Sequence, residues 1–205
     1  MIRITSGLPA GIQWWALLVG AMLAVVLLTG GCSTQPAPGQ ANASTAPLRG
    51  LADLAAERIE LGDKVAAAKF GTPQPIDDPA REQQVLDAVA KTSPGMGVDP
   101  AEASRFFRDQ IEASKVVQRG LYAEWTAHPQ QRPTDRPNLG TEVRPELDRI
   151  TTEILTQLRA SGAQRHAGAP CPAELTQASR PAAQPLDALH RDALAVALRS
   201  VCTPS

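Results

Sequence analysis

An all-α fold, a helical bundle of about six helices, is what this sequence predicts, and three observations predict it. Aromatic residues make up only 3% of the 205-residue chain, and two of its three tryptophans, Trp14 and Trp15, lie in an N-terminal apolar run. Any mature core must then be built mainly from Leu, Ile, Val and Ala, a composition that suits packed helices better than a sheet sandwich. The 18 prolines cluster between stretches of three-and-four apolar periodicity. Twice an aspartate directly precedes a proline, at Asp78-Pro79 and Asp99-Pro100, each with a glutamate in the following turn. An acidic cap followed by proline at the first helical position is a helix start.

Residues 1–31 read as an export signal, with Arg3 ahead of the apolar run WWALLVGAMLAVVLL. That run is short for a membrane-spanning helix. It ends in LTGGC, which resembles the lipobox of bacterial lipoproteins, where the cysteine, here Cys32, becomes the acylated first residue. An uncleaved N-terminal anchor and cleavage to a soluble form after Ala41-Asn42-Ala43 are the other two readings. All three place the remainder outside the cytoplasm. Residues 32–47, small, polar and proline-rich, read as a disordered tether.

The first helix is expected over about 48–70. Leu51, Leu54, Leu61 and Val65 form its apolar stripe, yet Arg58 and Lys69 continue the same series. Those two cations are eleven residues apart, about three turns, so both face the interior. Burying an uncompensated cation is costly, so an anion should meet them there. Gly62 interrupts this helix at a cost of about 1 kcal/mol relative to Ala. A second helix runs from Asp78 to about 92, and a third from Asp99 to about 127. On the third, Phe107, Ile111, Leu121 and Trp125 point inward together with two polar residues, Ser114 and Gln118. Ser114 can bond its own backbone one turn back, whereas Gln118 needs another partner. An irregular connector, 128–139, precedes a fourth helix over about 141–161, striped by Val143, Leu147, Ile150, Ile154 and Leu158 and flanked by Arg144. After a loop at 162–170, a short helical piece opens at Cys171 and a last amphipathic helix covers 186–201. The chain thus divides into a helical domain at 48–165 and a C-terminal helical extension at 166–205. Cys171 and Cys202 read as a disulfide in an oxidising compartment, the alternative being two buried thiols.

Arg58, Lys69, Arg81, Ser114, Gln118 and Arg144, with Asp78 and Glu82 at the second helix start, would share the interior of such a bundle. Three arginines and a lysine around one cavity suit a compact polyanion, most naturally a small dicarboxylate. Glu82 and Gln118 add groups for a hydroxyl and an ether or carbonyl oxygen. The sequence has no glycine-rich phosphate loop, and His128, His166 and His190 fall outside this set, so no metal-ligand cluster joins it. No inward serine or cysteine is paired with a histidine to act as a nucleophile. A net charge of −1 gives no polyelectrolyte signal, so no nucleic-acid partner is expected. Orientation and electrostatic stabilisation are what such a site can supply.

Arg58, Lys69 eleven residues on, Asp78-x-x-Arg81-Glu82 and Ser114-x-x-x-Gln118 resemble the pattern of AroQ-type chorismate mutases, specifically the secreted gamma subclass. The resemblance covers 48–161 in detail and the rest more loosely, since secreted members carry a C-terminal helical pair closed by a disulfide. It implies a cofactor-free [3,3]-sigmatropic rearrangement of chorismate to prephenate. It also implies carboxylate binding by Arg58, Arg81 and Arg144 with support from Ser114, ether-oxygen contacts from Lys69 and Gln118, and a ring hydroxyl held by Glu82 and the backbone near Asp78. An amide at Gln118 needs no proton to donate, so kcat/KM should be flat across neutral pH. All these residues come from one chain, so the site needs no partner, although secreted members can form homodimers through other surfaces. The rival readings are an exported helical lipoprotein that binds a small dicarboxylate without turnover, and a family member that has lost activity.

Overall fold

The computed structural model describes residues 38–202, with side chains from residue 45 onward, all within the unit Pro36–Ser205. The export signal, Cys32 and the start of the tether lie outside the described residues. Among the described residues there are seven α-helices and no strand. α1 spans Pro38–Lys69, α2 Pro79–Thr92, α3 Pro100–Ala127 and α4 Arg144–Ala160. The one-turn α5 covers Gly162–Arg165, followed by α6 at Pro170–Ala183 and α7 at Ala188–Ala197.

α1 begins ten residues earlier than the stripe predicted, so 38–47, assigned to the tether, is helical. Alanine recurs through 41–46, and Pro38 stands at the first position, where its missing N–H costs nothing. Pro47 lies inside the helix. Both predicted aspartate starts are observed. The Asp78 side chain accepts from Arg81 N, and Asp99 accepts from Ala101 N and Glu102 N. The fourth helix is split where a single element was expected. Leu139–Val143 forms a π-helical turn capped by Asn138, and α4 proper starts only at Arg144. Pro145 has no N–H to donate back to the preceding turn, so the regular hydrogen-bond ladder lacks a bond at this junction. The expected loop after α4 contains α5, and the expected short piece at Cys171 is the fourteen-residue α6.

α1 is the central element, packed on α3, α4, α6 and α7. It is therefore buried on more than its predicted stripe: Ala52, Ala55, Ile59 and Ala66 are covered as well as Leu51 and Leu61. Small residues let the neighbouring backbones come close. At Gly62 an added Cβ would lie 3.2 Å from Val117 Cγ1, which accounts for a glycine in mid-helix. Gly120 is tighter still, because a Cβ there would meet Leu189 Cδ1 at 2.5 Å, where α7 crosses α3. Phe106, Phe107, Ile150, Ile154, Leu155 and Leu158 fill the main core. Each such side chain contributes about 1.5–3 kcal/mol by leaving water. Cys171 and Cys202 are joined in a disulfide with Cα atoms 5.8 Å apart, tying the start of α6 to the chain just after α7.

Candidate active site

A cavity of about 310 Å³ opens between α1, α2, α3 and the start of α4. All eight residues singled out from the sequence line it: Arg58, Lys69, Asp78, Arg81, Glu82, Ser114, Gln118 and Arg144. Apolar walls come from Val65, Ile76, Val85, Ile111, Val143 and Leu147.

Arg58 sits deepest, only 9% exposed, with its guanidinium 5.8 Å from the Phe107 ring centroid. Its Nε and Nη1 atoms have no hydrogen-bond partner among the described residues. Burial pushes its pKa down to about 10, with Asp148 offsetting part of that. Lys69, near the C-terminal end of α1, donates from Nζ to Pro75 O at 2.9 Å. Burial lowers its pKa from the usual range, against the pull of Asp78, Glu82 and Asp77.

Glu82 and Asp78 form a reciprocal cap at the start of α2. Asp78 Oδ1 accepts from Arg81 N at 3.0 Å, and Glu82 Oε1 accepts from Asp78 N at 3.2 Å. This pair of bonds, a capping-box arrangement with the glutamate one residue later than usual, satisfies two otherwise orphaned backbone donors. Arg81 is exposed and donates from Nη1 to Gln84 Oε1 at 3.2 Å. Arg144 is likewise exposed, at the rim formed by the π-turn.

Gln118 is 3% exposed, and its position differs from expectation in one respect. It does find a local partner, since Nε2 donates to Ser114 O and Ser114 Oγ, each at 3.2 Å. An amide nitrogen has two hydrogens and both are directed at Ser114, so donation into the cavity requires one of these bonds to be released. Gln118 Oε1 is buried without a partner.

Lys115 escaped the sequence reading. It lines the cavity, is 7% exposed, and its Nζ lies 3.0 Å from Glu82 Oε2 and 2.6 Å from Glu112 Oε1. Burial alone would lower its pKa, but the bonds to Glu112 and Glu82 outweigh that and raise it. The signal was present: Lys115 stands four residues after Ile111 and three before Gln118, on the same helical face. Gln74 and Pro75, from the connector after α1, also reach the cavity. No periodicity could have placed them.

The family model described as chorismate mutase type II matches residues 49–119. Over 158 residues the chain is 34% identical to the secreted chorismate mutase of Mycolicibacterium smegmatis, spanning 76% of this chain and 86% of that protein. With the secreted chorismate mutase of Mycobacterium tuberculosis it shares 32% over 160 residues, 77% of this chain and 79% of that one. The crystal structure of chorismate mutase from Burkholderia thailandensis superposes with a TM-score of 0.71 at 38% identity, over 76% of this chain and 99% of that one. The Burkholderia phymatum chorismate mutase gives the same TM-score, 0.71, at 33% identity over 80% and 99%. With the motif, the bundle and the cavity in agreement with these relatives, the chain belongs to the chorismate mutase type II family.

Proposed function

We propose that this cavity rearranges chorismate to prephenate outside the cytoplasm, by holding the substrate and stabilising charge, with no covalent intermediate. In the reaction the ether C–O bond breaks as a C–C bond forms within one molecule, so no group is transferred to the protein. Arg58 anchors one substrate carboxylate, and its two unpartnered guanidinium nitrogens are the observation that carries this reading. A buried donor left unpaired is costly unless something fills it, and a carboxylate accepts from such a fork in matching geometry. Arg81 and Arg144 at the rim contribute to carboxylate binding, with Ser114 in support. The ring hydroxyl is held by Glu82 and the backbone near Asp78.

Lys69 and Gln118 meet the ether oxygen, where negative charge grows in the transition state. The Lys69 ammonium has three hydrogens, so it can keep Pro75 O and still donate to the substrate. Donors aimed at charge that develops during reaction lower the barrier more than they tighten substrate binding. The chain is an exported enzyme, and acylation of Cys32 is the finer part of the proposal. The mass of the mature N-terminus would carry the lipid, and an unmodified start after Ala43 would refute it.

Loss of the ultraviolet absorbance of chorismate, followed with purified mature protein, is the direct test. Lys69→Ala should lower kcat by about 10²–10³-fold with little change in KM, the usual cost of losing one transition-state donor. Near-normal turnover by this variant would sink the mechanism, and binding without turnover by the wild type would favour the inactive-binder reading.

A further inference from the structure

Lys115 is tied to three carboxylates that belong to three different pieces of chain. Its Nζ lies 3.0 Å from Glu82 Oε2 on α2, 2.6 Å from Glu112 Oε1 on α3, and 3.5 Å from Asp77 Oδ1 in the connector. The other Glu82 oxygen accepts from Asp78 N. The Glu82 carboxylate is thus gripped at both ends, by a cation across the cavity wall and by the backbone of its own helix cap. We propose that Lys115 is a positioning residue for the ring hydroxyl of the substrate, acting through Glu82. This rests on the assignment of Glu82 to that hydroxyl.

Three physical points carry the inference. First, each carboxylate oxygen has two lone-pair directions, so a Glu82 held by Lys115 on one oxygen and Asp78 N on the other keeps one free direction on each to accept a hydroxyl, and the carboxylate is fixed in orientation. Second, the surroundings of Glu82 are otherwise rich in negative charge. Glu112, Asp77 and Asp78 share this corner, and Asp77 is already engaged by Arg119 Nη2 at 2.6 Å. Removing the Lys115 ammonium would leave like charges crowded together, and the half-buried Glu82 would swing toward solvent and away from the cavity. Third, the neighbouring cations do not replace it. Lys69 donates to Pro75 O and Arg81 to Gln84. A site organised to bond a hydroxyl discriminates against an analogue lacking it, because its buried acceptor is left unpaired. Lys115 therefore sets specificity at a position remote from the breaking bond.

The test compares chorismate with an analogue in which the ring hydroxyl is replaced by hydrogen, read as KM for the former and competitive Ki for the latter. Lys115→Met should raise the KM for chorismate about tenfold, the scale of a lost charge-assisted hydrogen bond, with kcat nearly unchanged. The Ki of the analogue should stay within about twofold, since no hydroxyl contact is there to lose. Glu82→Gln should give the same selective loss, and the double variant should be no worse than either single one. Lys115→Gln, which keeps a shorter and neutral donor, should show a smaller loss with the same selectivity, and it serves as the reporter where the methionine variant does not fold. Equal weakening of chorismate and analogue by either Lys115 variant, or additive losses in the double, would overturn the inference. If Glu82→Gln leaves the ratio of the two ligands unchanged, the hydroxyl assignment itself fails and takes this inference with it. The Lys69→Ala result is independent of that outcome.

Discussion

The two faces of α3 bury polar groups to opposite ends. On the side toward α7, Gln110 Nε2 donates to Ala197 O at 2.8 Å and Asp109 Oδ2 accepts from Ser200 N at 2.9 Å. His190 lies between Asp187 and Asp63, at 2.8 Å and 2.9 Å. Gln110 Oε1 and Ser200 Oγ, two neutral oxygens, are left over among those residues. On the cavity side, Arg58 Nε, Arg58 Nη1 and Gln118 Oε1 are buried without partners. Both faces use polar side chains from α1 and α3, so the difference is not one of composition. The α7 face spends its hydrogen bonds within the fold, and the cavity face leaves groups available to a substrate. Stability and function are thus assigned to separate sides of the same two helices.

Arg58 is where the contrast should break most sharply. A cation whose pKa is lowered to about 10 by burial stays charged at neutral pH but is held less favourably in the fold than in water. The sign follows from linkage: below pH 10 the folded state carries a charge that the unfolded chain solvates better, so the group costs stability there and is relieved only as pH rises further. Arg58→Met removes that cost and keeps apolar contact with Phe107. Catalytic efficiency should fall by about 10²–10³-fold, as expected when one partner of a buried charged contact is lost. Stability measured by denaturant unfolding should nevertheless rise, by up to about 3 kcal/mol. A variant that lost both activity and stability would show that Arg58 belongs to the structural side after all.

The disulfide is the converse case. Replacing Cys171 and Cys202 by serine opens a closure spanning a sequence separation of 31 residues, and neither cysteine lines the cavity. Chain-entropy models put such a closure at about 3–4 kcal/mol. Thermal unfolding should register that loss, while kcat and KM at 25 °C stay at wild-type values, since no cavity residue lies on α6 or α7. A rise in KM would mean that the disulfide-closed C-terminal segment props the cavity open, and the separation of the two faces would be wrong.

How much of this was legible beforehand depended on whether a residue's role is carried by spacing. Arg58, Lys69, Ser114 and Gln118 were readable because a helix converts an interval of three, four or eleven residues into a direction. The caps at Asp78 and Asp99 were readable because their chemistry is local. Lys115 was missed although its spacing was available. Its burial depends on Glu82 and Asp77 arriving from elsewhere, which no single helix reveals. Phe106, Gln110, Ala113 and Val117 form a second buried face on α3 that a one-stripe reading of the helix could not anticipate. The missing bond at Pro145, beside the π-turn at Leu139–Val143, was readable, but the connector that brings Gln74 and Pro75 to the cavity has no periodicity to read.

A pH scan between 5 and 8 sharpens the comparison at the smallest expected effect. On the α7 face, burial would lower the pKa of His190, but Asp187 and Asp63 outweigh it and hold the imidazole above its usual 6.5. A raised histidine contributes stability that is fully present below 6.5 and is lost as pH rises through the folded value. The depressed carboxylates Glu102 and Asp187 start from 4.5 and 3.8 and titrate below this window. Stability should therefore decline toward pH 8, and His190→Ala should flatten that decline. On the cavity face, Gln118 carries no titrating proton and Arg58, at about 10, stays charged throughout. kcat/KM should remain flat over the same range in which stability slopes. A carboxyl-like loss of activity between pH 5 and 8 would mean that the donor to the ether oxygen is an acid and not the Gln118 amide.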